Sequence, residues 1–205
     1  RSMSRDTLMT AAMIAILIAG GAWLYFNFER VVERAEVGYQ GEALHNPFLA
    51  AQKLLARMGV TTRELRQSTQ LEALPPGTNT TVLLPRSRHG LTASRLAALL
   101  TWVDGGGHLI VEAEHFRDKD PLLDRLGIER AEIRMRVPRA PSLITLPHAP
   151  HTMRVHFGYR QKLLPREQPA YRFDDISGTH IVHLARGRGA VTVLPELQFM
   201  RNDAI

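Results

Sequence analysis

The stretch TTVLLPRSRHGLTASRLAALLTWVDGGGHLIVE, residues 80–112, decides the fold that the sequence predicts. Thr80 to Pro85 is β-branched and then apolar, which is typical of a strand buried on both faces. Thr92 is a good N-cap for the following helix, and the three glycines 105–107 end it. Residues 108–112 are again strand-like. A strand, a tight helix, a glycine turn and a second strand predict a right-handed βαβ crossover, the unit of an open parallel sheet.

The segment before this unit predicts a helix and a strand. Asn46 is a suitable N-cap, and Pro47 suits the first helical position because its missing N–H would be unpaired there. Apolar residues then recur at helical spacing until Gly59. A strand is predicted over Val60 to Leu65.

The segment after the unit begins with a short helix that Asp120-Pro121 opens and Gly127 closes. Six prolines interrupt Ile128 to Asp175, which we interpret as a β-rich insertion or flap. Residues 179–184 and 190–194 then flank a turn, and we predict a hairpin whose strands end the sheet. The fold class that follows is α/β, with a flavodoxin-like, amidotransferase-like, open and mostly parallel sheet.

Twenty-two consecutive uncharged residues, Thr7 to Phe28, stand near the start of the chain. As a helix the run would reach roughly 33 Å, enough for a hydrocarbon core of about 30 Å. A cleaved signal peptide has a shorter apolar region and a small-residue cleavage site, and a core helix is usually amphipathic. We therefore predict a transmembrane helix over 7–28, a flank over 1–6 and a stalk over 29–45.

The charges that flank this run are nearly balanced, so the orientation depends on the short N-terminal flank and the large domain behind it. We expect the N-terminus inside and the domain outside the cytoplasm, at a bacterial inner membrane. The domain covers residues 46–205, and the lack of a terminating element after Asn202-Asp203 suggests that the chain continues beyond Ile205.

Twenty-six basic and 20 acidic residues give a formal net charge of +6. Most of the cations are arginines, and they are dispersed rather than clustered, whereas a nucleic-acid binder usually shows a basic stripe. We therefore predict no nucleic-acid partner. The expected partners are the lipid bilayer, through Thr7 to Phe28, and other membrane or envelope proteins.

Several motifs resemble a bacterial membrane family, domain of unknown function 4350. They are the N-terminal apolar run, Gly-Tyr-Gln-Gly-Glu at 38–42, Asn-Pro-Phe-Leu-Ala-Ala at 46–51, Leu-Leu-Pro at 83–85, Leu-Leu-Thr-Trp-Val at 99–103 with its glycines, His-Leu-Ile-Val at 108–111, and Gly-Ala-Val-Thr-Val-Leu at 189–194 leading to Asn202-Asp203. The resemblance implies a class I glutamine-amidotransferase-like domain, a second membrane helix beyond residue 205 and genes beside MoxR-type ATPases.

The chain has no cysteine, which amidotransferases of this class use as their nucleophile. Other sites are suggested by the rule that ligands of open α/β sheets bind beyond the carboxyl ends of the strands. Polar residues follow three predicted strands there. They are the candidate ligand-binding residues Arg86, Arg88 and Glu196 and the candidate catalytic residues Glu112, Glu114 and His115.

Metal and nucleophile motifs are weak. His180 and His183, three apart in a strand, would point to opposite faces, and His148 and His151 lie in a proline-rich loop. No Gly-x-Ser-x-Gly elbow surrounds Ser87 or Ser94. We therefore predict neither a metal nor a cofactor.

These observations favour a membrane-anchored, non-catalytic domain that binds a ligand or a protein in the bacterial cell envelope, in a system that includes a MoxR-type ATPase. Two alternatives stay open. One is an envelope hydrolase that uses a carboxylate and histidine crevice, and the other is an accessory subunit of a transporter.

Overall fold

The computed structural model describes residues 5–27, 38–65, 67–75, 77, 79–88, 90–134, 141–146, 151–158 and 160–202. The chain divides into two compact units, Arg1–Tyr39 and Gln40–Ile205. The first contains the helix α1, Arg5–Asn27, and the second contains every strand described below. Most of the predicted stalk, Glu29 to Val37, lies outside the described residues, as does Phe28.

The predicted transmembrane helix is contradicted. Within the described part of the chain, no helix combines the length and the apolar character needed to cross a membrane.

The described residues of the second unit form four short α-helices and two 3₁₀ segments. The helices are α2 (Glu42–His45), α3 (Leu49–Arg57), α4 (Ala93–Asp104) and α5 (Pro121–Arg125), and the 3₁₀ segments are Ser68–Ala73 and Gln198–Met200. The N-caps predicted for α4 and α5 are confirmed. Thr92 Oγ1 accepts a hydrogen bond from Arg95 N at 3.4 Å, and Asp120 Oδ1 accepts one from Leu123 N at 3.3 Å.

Two local predictions for the segment between residues 46 and 65 are wrong. The helix predicted to begin after Asn46 begins two residues later, because Asn46 Oδ1 accepts the N–H of Phe48 at 3.0 Å and forms a separate turn. The strand predicted over Val60 to Leu65 has no strand partner and is irregular.

Nine strands are described in the second unit. They are β1 (Thr81–Leu84), β2 (His108–Glu112), β3 (Ile128–Glu132), β4 (Ser142–Ile144), β5 (Met153–Val155), β6 (Gln161–Pro165), β7 (Tyr171–Asp175), β8 (Gly178–Arg186) and β9 (Gly189–Leu194). Seven form one sheet in the order β1-β2-β9-β8-β6-β3, with β7 paired to β8, and β4 pairs with β5 separately. Three of the five strands in the predicted insertion therefore belong to the main sheet.

The predicted fold class, a flavodoxin-like and mostly parallel sheet, is contradicted. The βαβ unit itself is present, since β1 pairs with β2 in parallel across α4. Strand β9 extends this parallel set, but the pairings β3–β6, β6–β8, β7–β8 and β8–β9 are all antiparallel. The short turns between β7 and β8 and between β8 and β9 force antiparallel neighbours, whereas β3 and β6 pair although β4 and β5 lie between them in the chain.

The hairpin predicted over residues 179–194 is confirmed as a pair, but its predicted position is wrong. Strands β8 and β9 form an antiparallel hairpin, with Arg186 opposite Gly189. They lie in the middle of the sheet rather than at its end, because β9 inserts beside β2. The carboxyl ends of β1, β2 and β9 therefore lie side by side.

The sheet has a hydrophobic cluster on each side. The larger cluster joins α4 and α5 to β2 and β9, and Leu99, Val103, Leu109 and Val191 within it have no exposed surface. The smaller cluster, which includes Ile144, Phe157 and Leu197, packs on the other side of the strands. These two clusters fix the ends of the parallel strands relative to one another.

Candidate functional site at the carboxyl edge of the parallel strands

The segments that follow β1, β2 and β9 meet at one edge of the sheet, which we call the carboxyl edge. It comprises residues 85–88, 112–115 and 195–197, together with Asp120 and Arg201. Leu194 O accepts the N–H of Ala113 at 2.8 Å, so the segments after β2 and β9 continue side by side beyond the strands. The structure therefore brings most of the predicted site residues together.

Glu112 is the buried carboxylate at the centre of this edge, with 1 % of its surface exposed. It accepts hydrogen bonds from the backbone N–H groups of Arg86 at 3.3 Å and Leu197 at 3.2 Å. Its oxygens also pair with Arg86 Nε at 3.2 Å and with Arg201 Nη2 at 3.6 Å. Glu112 thus ties the segments after β1 and β9 to β2.

Glu114 holds the loop that follows β1. Its carboxylate accepts the N–H groups of Ser87 at 3.2 Å and Arg88 at 3.1 Å, and Arg88 Nε lies 3.7 Å away. Ser87 has a φ of 67°, a left-handed conformation that is uncommon for a residue with a side chain. The hydrogen bonds to Glu114 compensate for this backbone conformation.

Arg88 is a buried guanidinium with three acceptors. Its Nη2 lies 2.6 Å from Asp120 Oδ2, and its Nη1 donates to the carbonyl oxygens of Pro85 and Glu112. Asp120 in turn accepts the N–H of Glu114 at 3.1 Å while it caps α5. Only 6 % of the Arg88 side chain is exposed, so this arginine joins structural elements and is closed to a ligand.

Arg86 and Arg201 are more accessible. Their side chains are 32 % and 36 % exposed, although both pair with Glu112. Arg86 Nε donates to Ala113 O at 2.9 Å, and its Nη2 donates to Pro195 O. The guanidinium of Arg201 lies 6.0 Å from the centroid of the Phe48 ring.

Glu196 lies among these arginines. One of its oxygens accepts the N–H of Gly158. Burial raises the pKa of Glu196, and the charge of Glu112 raises it further, whereas Arg86, Arg160 and Arg201 act to lower it. The carboxyl group of Glu196 therefore keeps its proton to a higher pH than an ordinary glutamate.

His115 does not join the carboxylates. Its ring lies 4.4 Å from that of Phe116, and its Nδ1 accepts the N–H of Arg117 at 3.4 Å. The side chain of Arg117 also lies 5.2 Å from the Phe116 ring. These contacts place His115 in a half-buried aromatic loop rather than beside a carboxylate.

Sequence reasoning missed three residues of this edge. Arg130 Nη1 donates to the carbonyls of Glu114 at 3.0 Å and His115 at 2.9 Å. Gln161 Nε2 donates to those of Glu114 at 3.2 Å and Pro195 at 3.0 Å. Arg201, the third, lies far along the chain from Glu112. No local pattern marks any of them, because β3 and β6 reach this edge only through antiparallel pairing.

A second polar cluster contains the residue types of a serine hydrolase. Asp175 Oδ1 lies 2.5 Å from Ser177 Oγ and 3.0 Å from His180 Nε2, and Ser142 Oγ donates to Oδ2. Ser177 Oγ also contacts His180 Nε2, at 2.6 Å. A catalytic triad needs the serine and the aspartate on different ring nitrogens, so this geometry is not one.

This cluster joins the β4–β5 hairpin to the main sheet. Burial acts to raise the pKa of Asp175, but hydrogen bonds from Ser177 and Ser142 and the nearby His180 outweigh it and lower the pKa. The His180 ring is stacked on Phe157 at 4.6 Å. The cluster therefore has a structural role.

Within the described residues, no group of three or more histidine, aspartate or glutamate side chains could hold a metal ion. His183 Nδ1 contacts Thr192 Oγ1 at 2.8 Å, whereas His180 contacts Asp175 and Ser177. The two histidines of the strand thus have separate partners. His148, the other loop candidate beside His151, lies outside the described residues.

The fold and this edge define a class of β-rich domain in which a mixed, mostly antiparallel sheet carries a cluster of arginine–carboxylate pairs beside its parallel strands. The model of the family Domain of unknown function (DUF4350) matches residues 42–205, and the chain belongs to this family. The predicted family resemblance is confirmed over that range. A search of the curated proteins found no match.

Two solved structures match the chain at low sequence identity. The chain is similar to the exo-β-1,4-mannosidase Op5Man5 from Opitutaceae bacterium strain TAV5, with 17 % identity, a TM-score of 0.53 and coverage of 82 % of this chain. It spans only 28 % of that enzyme's chain, so the likeness concerns the fold alone. The mmIFT52 N-terminal domain matches with 12 % identity and a TM-score of 0.47, over 78 % of this chain and 82 % of its own.

Proposed function

We propose that the domain is non-catalytic and that its carboxyl edge binds an anionic group of a ligand or of a partner protein. The proposal rests on the contacts that the carboxylates of Glu112, Glu114 and Asp120 already make. Each already accepts backbone N–H groups and pairs with a guanidinium. The oxygens of these carboxylates are thus occupied by contacts within the fold, whereas a catalytic acid or base has to reach the proton that it transfers to or from a substrate.

The cations of the edge support an anionic ligand. Arg86 and Arg201 are partly exposed, Arg160 is exposed, and all three act on Glu196 electrostatically. Arginine presents a planar fork of donors that matches carboxylate and phosphate groups. These three guanidiniums outnumber the two carboxyl groups beside them, those of Glu112 and Glu196.

The cellular location and the partners of this domain stay predictions from the sequence. The predicted location is outside the cytoplasm at a bacterial inner membrane, and the predicted partners are envelope proteins and a MoxR-type ATPase. The lack of cysteine also fits a binding role, because class I glutamine amidotransferases need a cysteine nucleophile.

Calorimetric titration with inorganic phosphate and with polyglutamate tests the proposal. We expect saturable binding that weakens at least tenfold in an Arg160→Gln and Arg201→Gln double variant, because hydrogen bonds to charged groups contribute about 1.5–3 kcal/mol each. Arg172→Gln is the matched control, since Arg172 is 57 % exposed and pairs with Asp174 on β7.

Two results would contradict the proposal. One is the absence of saturable binding to either anion, and the other is equal weakening by Arg172→Gln. Urea unfolding of each variant separates a lost binding site from a lost fold, because Arg201 also pairs with Glu112.

A hydrolase is the second candidate, and the raised pKa of Glu196 favours it. A carboxyl group with a raised pKa is better suited to general acid catalysis than an ordinary glutamate. Hydrolysis of a substrate panel that Glu196→Gln abolishes would select this candidate over the binding domain.

A further inference from the structure

Helix α3 exposes an apolar surface at the side of the second unit away from its core. Leu54 is 50 % exposed, Met58 is 70 % exposed and Val60, just beyond the helix, is 46 % exposed. Leu54 and Met58 are four residues apart and therefore lie on one stripe of the helix. Ala51, in the first turn of the helix and seven residues before Met58, lies near the same stripe and is buried.

The end of α3 holds this surface in a fixed shape. Gly59 N donates to Ala56 O at 3.0 Å, and Val60 N donates to Leu55 O at 2.9 Å. Gly59 has a φ of 80°, so the pair of bonds forms a Schellman motif. Val60 is thereby kept beside the last turn instead of continuing away from it.

Basic side chains border the apolar stripe. Lys53 and Arg57 are exposed and four residues apart, on the stripe adjoining that of Leu54 and Met58. Exposed Arg63 follows. From Pro47 to Leu65 the sequence contains these three cations and one acidic residue, Glu64.

We propose that this α3 face, formed by Lys53, Leu54, Arg57, Met58 and Val60, docks on an anionic lipid bilayer surface. Apolar side chains beside exposed cations are the pattern of interfacial helices, whose apolar stripe enters the headgroup boundary while lysine and arginine bind lipid phosphates. Protein-binding surfaces are instead enriched in aromatic anchors, and the α3 face has none. This surface is separate from the carboxyl edge and does not depend on the function proposed for it.

A site-specific fluorescent label tests the proposal. The chain has no cysteine, so Met58→Cys provides a single attachment point for an environment-sensitive dye on the full chain. Because the dye reports its own position, vesicle binding through another part of the chain does not by itself shift its emission. Vesicles of phosphatidylcholine with and without phosphatidylglycerol are then added.

Leu164→Cys is the matched control label. Leu164 is also an exposed apolar residue, at 42 %, but it lies on β6 opposite Glu129, which pairs with Arg166. We expect a blue shift from the label at position 58 with phosphatidylglycerol vesicles and none from the label at position 164. Lys53→Gln and Arg57→Gln should each lower the affinity for the phosphatidylglycerol vesicles about fivefold.

Three results would overturn the proposal. They are no shift at position 58, a shift of equal size at position 164, and a shift at position 58 that does not depend on phosphatidylglycerol. A shift that appears on concentrating the protein without vesicles would assign the α3 face to a second copy of the chain instead. Circular dichroism of every labelled variant checks that the fold is retained.

Discussion

Thr192 holds two histidines whose protonation is controlled by burial. Its Oγ1 lies 2.8 Å from both His108 Nε2 and His183 Nδ1. Burial lowers the pKa of both rings, and the charge of His183 lowers that of His108 further. Burial also lowers the pKa of His180, although Asp175 opposes the shift.

These three shifts predict a loss of stability on acidification. In the unfolded chain each histidine returns to the ordinary pKa of 6.5 and binds a proton more readily than in the fold. The unfolding free energy should therefore fall as the pH drops below about 6.5, by at most about 1.4 kcal/mol per pH unit for each histidine. Urea unfolding between pH about 7.5 and about 5.5 measures this slope.

A His183→Gln variant tests whether His183 contributes to this pH dependence of stability. It keeps a polar group near Thr192 but removes one titration, so its stability should depend less steeply on pH than that of the unaltered chain. An equal slope in both proteins would show that His183 does not contribute.

At the scale of elements, the turn between β8 and β9 packs closely against the end of α4. Arg188 N donates to Asp104 O at 3.0 Å, and Ala190 N donates to Gly107 O at 3.1 Å. A Cβ on Gly189 would lie 2.2 Å from the carbonyl oxygens of Gly107 and Val103. The glycine is thus required by a close backbone approach.

Gly189→Ala should therefore destabilise the domain. The added methyl group has to displace backbone atoms rather than a flexible side chain, and such overpacking costs about 1–3 kcal/mol. Thermal unfolding measures the loss. Gly38→Ala is the control, because a Cβ there would meet no atom within 4 Å, and an equal loss in both variants would contradict the packing argument.

At the scale of the whole molecule, the order of strands predicts which strands of the sheet unfold locally least often. Strands β2, β9 and β8 each pair on both sides, whereas β1 and β3 lie at the ends of the order. Amide hydrogen exchange should therefore be slowest in β2, β8 and β9 and faster in β1 and β3. Faster exchange in β9 than in β1 would contradict this topology.

Local chemistry accounts for the parts of the fold that could be predicted. The β1–α4–β2 unit, the caps Thr92 and Asp120, and the β8–β9 hairpin all depend on residues close together in sequence. The convergence of Arg86, Arg88, Glu112 and Glu114 followed from the parallel strands alone. Arg130, Gln161 and Arg201 could not be predicted, because their positions depend on strand order rather than on neighbours in the chain.

The sequence by itself determined the family, the helix caps and the residue types beyond each parallel strand, since these depend on local propensity and short-range hydrogen bonds. Only the tertiary structure decided that the sheet is mixed, because β9 pairs with β2 on one side and with β8 on the other. It also decided that Glu112 and Glu114 are bound by arginines and backbone N–H groups. Long-range pairing selects these partners, and no local pattern contains that information.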